Sequence, residues 1–304
     1  MDLSIWSNFY NDLNYEDALE RIKKAGFNYS ELSDSHFGDI FIKKEFEKLI
    51  DIKEKIKIKT FQVHAPILSL YESQEKQIIE RLVDLADIRK DVREREVNCI
   101  IEYIKWCKIV GIDCIVVHPG GIKGYDTWEE FKMIEDLNLE SFKKIAEKSE
   151  KEKIKIAIEN CGLKIGNKKY FPYKTAEELL QLIEKIGSKY IGICLDTSHA
   201  NVSKVNIKEF IKTAKEKIYA THISDNFGEN DDHLFPFSGK INWKEVMDAL
   251  DEINFDGILN FEVPGENRCP LEIRDIKIKY AFEIGNYLIK KKNKFRSCEN
   301  KRMT

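Results

Sequence analysis

The stretch Ile191–Ala200, IGICLDTSHA, decides the fold. Ile191, Ile193 and Leu195 give it apolar strand character, and the run stops on Asp196-Thr197-Ser198-His199, so a carboxylate and an imidazole stand where a strand passes into a loop. A lone Asp followed three residues later by His is a weak metal signal, because either residue can simply cap the turn that follows. Repetition strengthens it. FQVHAP carries His64, CIVVHPGG carries His118, IKIAIEN ends near Glu159, YATHISDN contains His222 and ILNFEV contains Glu262. Six strand-like segments that each finish on a metal-competent side chain form a pattern that chance placement does not explain.

Working outward from that stretch, strand-like and helix-like segments alternate along the chain. LSIW opens as a strand, YEDALERIKKAG has helical apolar spacing and stops on Gly26, and NYSELS follows as a second strand carrying Glu31. The longest connection, Glu72 to Val110, is rich in charge and reads as two helices. CIVVHPGG, IKIAIEN, IGICLDTSHA, IYATHISDN and GILNFEV complete a set of eight strands, each with a helix after it. Buried, β-branched strands alternating with helices predict an α/β fold, a single-domain (β/α)8 TIM barrel over residues 1–290. The basic stretch 291–304 has little to bury and reads as a disordered tail. The competing open doubly wound sheet normally carries a glycine-rich phosphate turn, and neither G-x-G-x-x-G nor a Walker A sequence occurs. In a barrel, all strand C-termini open on one face, so side chains distant in sequence converge there.

The bulk numbers bound the function. A chain of 304 residues can bury a large core. A net charge of −3 gives no global reason to expect a nucleic-acid partner, although a local basic groove would not show in the total. The seven cysteines are odd in number, lack C-x-x-C spacing and mostly sit in apolar runs, which fits reduced core residues of a cytoplasmic protein. MDLSIWSNFY lacks a basic region followed by a long apolar stretch, and no window approaches eighteen apolar residues, so neither secretion nor a membrane partner is expected.

Five of the six histidines, 64, 118, 199, 222 and 233, fall at or just beyond a strand end. Each alone is more commonly a half-buried imidazole bonded to a carbonyl. Together with Glu159, Asp196, Asp231 and Glu262 they would crowd one barrel mouth. Two carboxylates about 4 Å apart repel by roughly 4 kcal/mol at an effective dielectric of ~20, so a bound divalent cation is the economical explanation. Mixed nitrogen and oxygen ligands suit Zn2+ or Mn2+, with Fe2+ or Co2+ next, over Ca2+. Glu31 is an acid at the same face, read either as a substrate contact or support for a ligand, or as one half of a structural ion pair. Trp6 and Asn8 would wall the pocket. His36, in SDSHFGD, reads as a solvated loop residue. Gly120, Gly121 and Gly239 allow close backbone approach or simply serve turns, and Cys161 and Cys194 pack nearby.

The series VHAP, HPGG, IEN, LDTSHA, HISDN, NDDH and FEV resembles, over nearly the whole chain, the xylose isomerase-like barrel superfamily, which joins sugar isomerases and epimerases to the endonuclease IV type of abasic-site nuclease. The resemblance implies that Glu159, Asp196, His222 and Glu262 form the single-metal set of epimerase-type members. It also matches His64, His118, His199, Asp231 and His233 to positions that hold additional zinc ions in the nuclease branch. After His64 that branch usually shows Ser-Tyr-Leu-Ile-Asn, where this chain has Ala65-Pro66-Ile67-Leu68-Ser69, and its DNA-wedging arginine has no counterpart in SDSHFGDI. The expected function is therefore a divalent-metal-dependent sugar or sugar phosphate isomerase or epimerase. Glu159 and Glu262 would transfer the proton through a metal-stabilised enediolate, and His64, His118, His199, Glu31 and Trp6 would contact the substrate. The alternative is an abasic-site nuclease with three zinc ions. Barrels of this kind often pair, so a homodimer is one assembly to expect.

Overall fold

The computed structural model describes residues 1–33, 43–72, 78–161 and 168–299. His36 lies outside the described residues. Five strands pair in parallel in the order β3 (Gln62–His64), β6 (Cys114–Val117), β7 (Lys155–Glu159), β8 (Ile191–Asp196) and β9 (Ile218–His222). A second parallel sheet has β1 (Asp2–Trp6) between β10 (Ile258–Phe261) and β2 (Tyr29–Glu31). Parallel bridges run between the sheets at both junctions: Tyr29 with Lys59 and Leu32 with Val63 on one side, and Ile223 with Phe261 on the other. The register of β7 on β8 sets Glu159 beside Cys194, and that of β8 on β9 sets Asp196 beside His222. Asp196 and His222 therefore end level, while Glu159 pairs two residues short of Asp196 and His64 two residues short of His118, all on one parity of their strands.

Side chains alternate across a strand, which gives each strand two different environments. Ile191, Ile193 and Leu195 of β8 join the large core between strands and helices, together with Ile115 and Val117 of β6 and Ile156 and Ile158 of β7. The opposite parity is small: Cys114, Val116, Ala157, Cys194 and Ala220 form a separate buried cluster. Continuing that inner parity upward leads to Glu159, Asp196 and His222.

The helices follow the sequence signals closely. The first, α1 (Tyr15–Ala25), is capped by the Asn14 side chain, which accepts from the Asp17 backbone N–H, and it ends on Gly26 at φ 117°. After α2 (Lys43–Ile56) comes the one large departure. The described residues of 72–110, a stretch expected as two helices, hold a strand and a single helix: β4 (Leu68–Glu72) and β5 (Ile78–Leu82) pair antiparallel from Leu68 with Leu82 to Glu72 with Ile78, and α3 spans Lys90–Val110. Short apolar runs such as IIERL fit either period, and the cross-strand ladder with 68–72 decides the outcome. Further on are α4 (Trp128–Glu152), α5 (Ala176–Ile186), the short α6 (Thr197–Val202), α7 (Ile207–Ala214), α8 (Trp243–Glu252) and α9 (Leu271–Glu299). A capping box at Thr175 and Glu178 starts α5.

Gly120, two residues beyond His118, is fixed by packing. Its N–H donates to Asn138 Oδ1 at 2.7 Å, and a Cβ there would meet the Ala86 backbone nitrogen at 2.0 Å. Gly120→Ala is expected to destabilise the fold by about 2–4 kcal/mol, since backbone must move on both sides. Denaturant unfolding checks this, and an unchanged midpoint would contradict the packing role. A Cβ on Gly239 would likewise meet Asp225 Oδ1 at 2.3 Å, so both glycines serve the chain's own loops.

Candidate metal centre at the strand ends

Six of the nine candidate ligands are placed by a strand terminus, whereas His199, expected at or just beyond a strand end, is carried by α6 and Asp231 and His233 by the loop after β9. His64, Glu159, Asp196 and His222 are the last residues of β3, β7, β8 and β9, while His118 and Glu262 stand one residue past β6 and β10. Asp196 also begins a helix that sequence reading took as a loop: its Oδ1 accepts from the His199 backbone N–H at 2.6 Å and starts α6. Capping and the convergence of side chains thus coexist, because a carboxylate has two oxygens and the cap engages only one. The turn places His199 over the cluster, with its Nδ1 3.2 Å from Glu159 Oε1.

The nine residues gather into three adjoining groups. Glu159, Asp196, His222 and Glu262 offer ligand atoms that all lie within 4.8 Å of one another, as do those of His64, His118 and Glu159, and those of His199, Asp231 and His233. Glu159 belongs to two groups. Its Oε2 is 3.4 Å from His64 Nε2 and 3.1 Å from His118 Nε2, while its Oε1 is 3.2 Å from His222 Nδ1. Glu262 Oε2 reaches the same His222 Nδ1 at 3.1 Å, and Asp196 Oδ2 is 3.9 Å from it. In the third group Asp231 Oδ2 sits between His233 Nε2 at 2.9 Å and His199 Nε2 at 3.2 Å. Ser198 Oγ donates to its other oxygen at 2.6 Å.

The donor set fits a divalent ion. Glu159 Oε2, Asp196 Oδ2, Glu262 Oε2 and His64 Nε2 are buried without a hydrogen bond among the described residues. Buried carboxylate oxygens are normally satisfied, so unsatisfied ones turned toward each other mark a place for positive charge. The electrostatics agree. Burial, reinforced by the charges of Glu262 and Glu159, pushes the Asp196 carboxyl well above the usual range despite His199. Burial also works against ionised Glu159, yet the surrounding His222 and His118 hold it well below that range. Glu262 is held at about 2, where His222 and His233 outweigh its burial. Burial lowers His118 in spite of Glu159.

Four histidines move upward, His199, His222, His64 and His233, and the last two decide the pH dependence. Burial opposes charge on both, but Glu159 lifts His64 to about 9, and Glu262 and Asp231 lift His233 to about 10. A histidine whose folded pKa exceeds its unfolded value stabilises the fold fully below the unfolded value and less as pH rises through the folded one. In chelator-treated protein the melting temperature is therefore expected to fall as pH rises from 6.5 through 9 to 10. A melting temperature that is flat or rising over that interval would contradict these couplings.

The site is sheltered. His118, His233 and Asp231 keep 16%, 18% and 15% of their side chains exposed, while Glu159 and His222 are at 0%. A narrow, largely apolar pocket adjoins His64 and His118, walled by Pro66, Ile67, Val83, Ile122 and Phe171, with Cys161 at its edge. The Trp6 ring centre is 6.4 Å from that of His64. Glu31 lies behind the site, 0% exposed and against His222.

Several supporting residues were visible in quoted motifs without being recognised. Asn160, of IEN, pairs twice with the Asp196 backbone, donating to its carbonyl at 2.9 Å and accepting from its N–H at 2.8 Å. Asp225, of HISDN, accepts from Trp243 Nε1 at 2.9 Å and from the Ile241 N–H at 3.1 Å, which ties the loop after β9 to α8. A polar residue next to a ligand-type residue at a strand end was the available signal.

Among the described residues no helix is long and apolar enough to cross a membrane. Over 284 residues the chain is 29% identical to an uncharacterized protein of Methanocaldococcus jannaschii, covering 91% of this chain and 88% of the relative. It is 25% identical over 237 residues to a probable endonuclease 4 of Aquifex aeolicus, covering 73% of this chain and 74% of that one. The crystal structure of a D-tagatose 3-epimerase-like protein superposes with a TM-score of 0.76 at 26% identity, covering 97% of this chain and 99% of the other. The profile of the xylose isomerase-like TIM barrel family matches residues 19–282, and the chain belongs to that family.

Proposed function

We propose that this chain is a divalent-metal-dependent isomerase or epimerase of a small sugar or sugar phosphate, acting at the mouth of a (β/α)8 barrel closed by the bridges between its two sheets. The observation that carries the reading is the approach of Glu159 and Glu262, from β7 and from the end of β10, to a single nitrogen of His222 at 3.2 and 3.1 Å. Two carboxylates that converge on one small space would suit the removal of a proton from a carbon beside a carbonyl by one and its return by the other. One takes the proton as base, the other delivers one as acid, and their protonation states are exchanged when the substrate leaves. Return to the opposite face of the same carbon is epimerisation, and return to the neighbouring carbon is isomerisation. A divalent ion held by Glu159, Asp196, His222 and Glu262, Zn2+ or Mn2+ by donor type, would supply Lewis-acid stabilisation of the negative charge that develops on the substrate. His64, His118 and His199 lie where they would orient hydroxyl groups, and the limited exposure of the cluster favours a small substrate. The similarity to the D-tagatose 3-epimerase-like protein supports this class.

A second reading is favoured by one observation, the arrangement of ligand atoms in three adjoining groups, two of which share Glu159. Three ions there would suit phosphodiester hydrolysis at an abasic site, in line with the similarity to a probable endonuclease 4. Incubating the Mn2+- or Zn2+-supplied protein with a panel of ketoses and their phosphates in D2O separates the two. The expected result is deuterium incorporation beside the carbonyl and no cleavage of abasic duplex DNA. Cleavage without exchange would replace the first reading with the second.

A further inference from the structure

Glu31, the last residue of β2, has both carboxylate oxygens engaged beneath the site. Oε1 is 3.1 Å from His222 Nε2, and Oε2 accepts from Asn260 Nδ2, the inward-facing side chain two residues before Glu262. All three groups are 0 to 5% exposed. The opposite nitrogen of the same ring, Nδ1, faces Glu159, Glu262 and Asp196. One imidazole therefore has a carboxylate on its inner side and three carboxylates on its outer side.

We infer that Glu31 is a positioning residue: by accepting the Nε2–H of His222 it fixes the ring's tautomer and rotation, so that the Nδ1 lone pair is presented to a cation. The inference rests on the metal reading above. A neutral imidazole donates from one nitrogen and accepts at the other, so a committed acceptor at Nε2 leaves Nδ1 free to ligate. The carboxylate also raises the basicity of the ring as a ligand. Asn260 holds Glu31 in turn, and since Asn260 sits on the strand that delivers Glu262, the same bond couples the settings of two ligand-type residues. The buried position of Glu31, with neither oxygen turned to the mouth, separates this role from substrate contact.

Glu31→Gln is the informative variant. The glutamine oxygen can still accept from His222, and its amide can meet Asn260 after the latter flips, because Asn260 Oδ1 has no hydrogen bond among the described residues. The shape is retained and the charge is lost. Competition between the protein and a chromophoric chelator for Zn2+ is expected to show affinity weakened about tenfold in Glu31→Gln and up to roughly a hundredfold in Glu31→Leu. In the zinc-loaded wild type, imidazole 15N shifts are expected to place the His222 proton on Nε2. Folded variants that hold Zn2+ as tightly as the wild type overturn the inference, as does a proton on Nδ1. If Glu31→Leu does not fold, Glu31→Gln and the tautomer decide it. Wild-type protein that binds no Zn2+ overturns the metal reading itself, and this inference with it, whereas unchanged variant affinity leaves that reading standing.

Discussion

Glu159→Gln is expected to lower turnover by roughly 10^4-fold while leaving a cooperative, native-like fold. The magnitude follows from two losses at one side chain. A carboxylate acting as base or acid typically accounts for about 10^2- to 10^4-fold in rate, and the same group is shared between two candidate ligand sets. The fold should survive because glutamine fills the same volume and the core around β7 is carried by Ile156 and Ile158 on the other face. Steady-state kinetics on the substrate identified by deuterium exchange, read beside circular dichroism and thermal melting, checks it. A fully active, metal-replete Glu159→Gln would remove Glu159 from the chemistry.

Stripping divalent ions is the second large effect. Without a cation, the facing oxygens of Glu159, Asp196 and Glu262 depend on the surrounding imidazoles for compensation. A ligand that binds only the folded state adds about 2.7 kcal/mol when present at a hundredfold excess over its Kd, or a melting-temperature rise of roughly 4 °C for a chain of this size. Chelation should lower the melting temperature by that order and abolish turnover, and Zn2+ or Mn2+ should restore both. Asp196→Ala should lose the metal-dependent part of the shift and, with the α6 cap gone, about 1 kcal/mol besides. A chelated protein that melts where the supplied protein melts would count against a tightly held ion.

What was legible in the sequence and what was not have physical causes. Strand ends were readable because apolar runs such as ILNF and IAI stop abruptly on a polar residue, and neighbouring parallel strands point their ends the same way. That is why side chains as distant as His64 and Glu262 could be grouped before any coordinates. The segment 72–110 misled because IIERLVDLADI satisfies the helical period as well as the strand period, and its state depends on pairing with Leu68–Glu72, which local spacing does not encode. Asp196 illustrates a milder limit. Capping and ligation were weighed as alternatives, whereas in the structure one oxygen caps α6 and the other faces His222. Support for a ligand was legible for Glu31 in kind but not in partner: His222 and Asn260 are separated from it by 191 and 229 positions, and only the order of the parallel strands makes them neighbours.

The central claim is that these converging acids and imidazoles hold a divalent ion in common. Elemental analysis of the protein after supply of Zn2+ and Mn2+ and exhaustive dialysis tests it most directly. The account predicts at least one tightly retained divalent ion per chain in the wild type and its loss in His222→Ala. A wild-type protein that retains none, or a folded His222→Ala that retains as much, would contradict it.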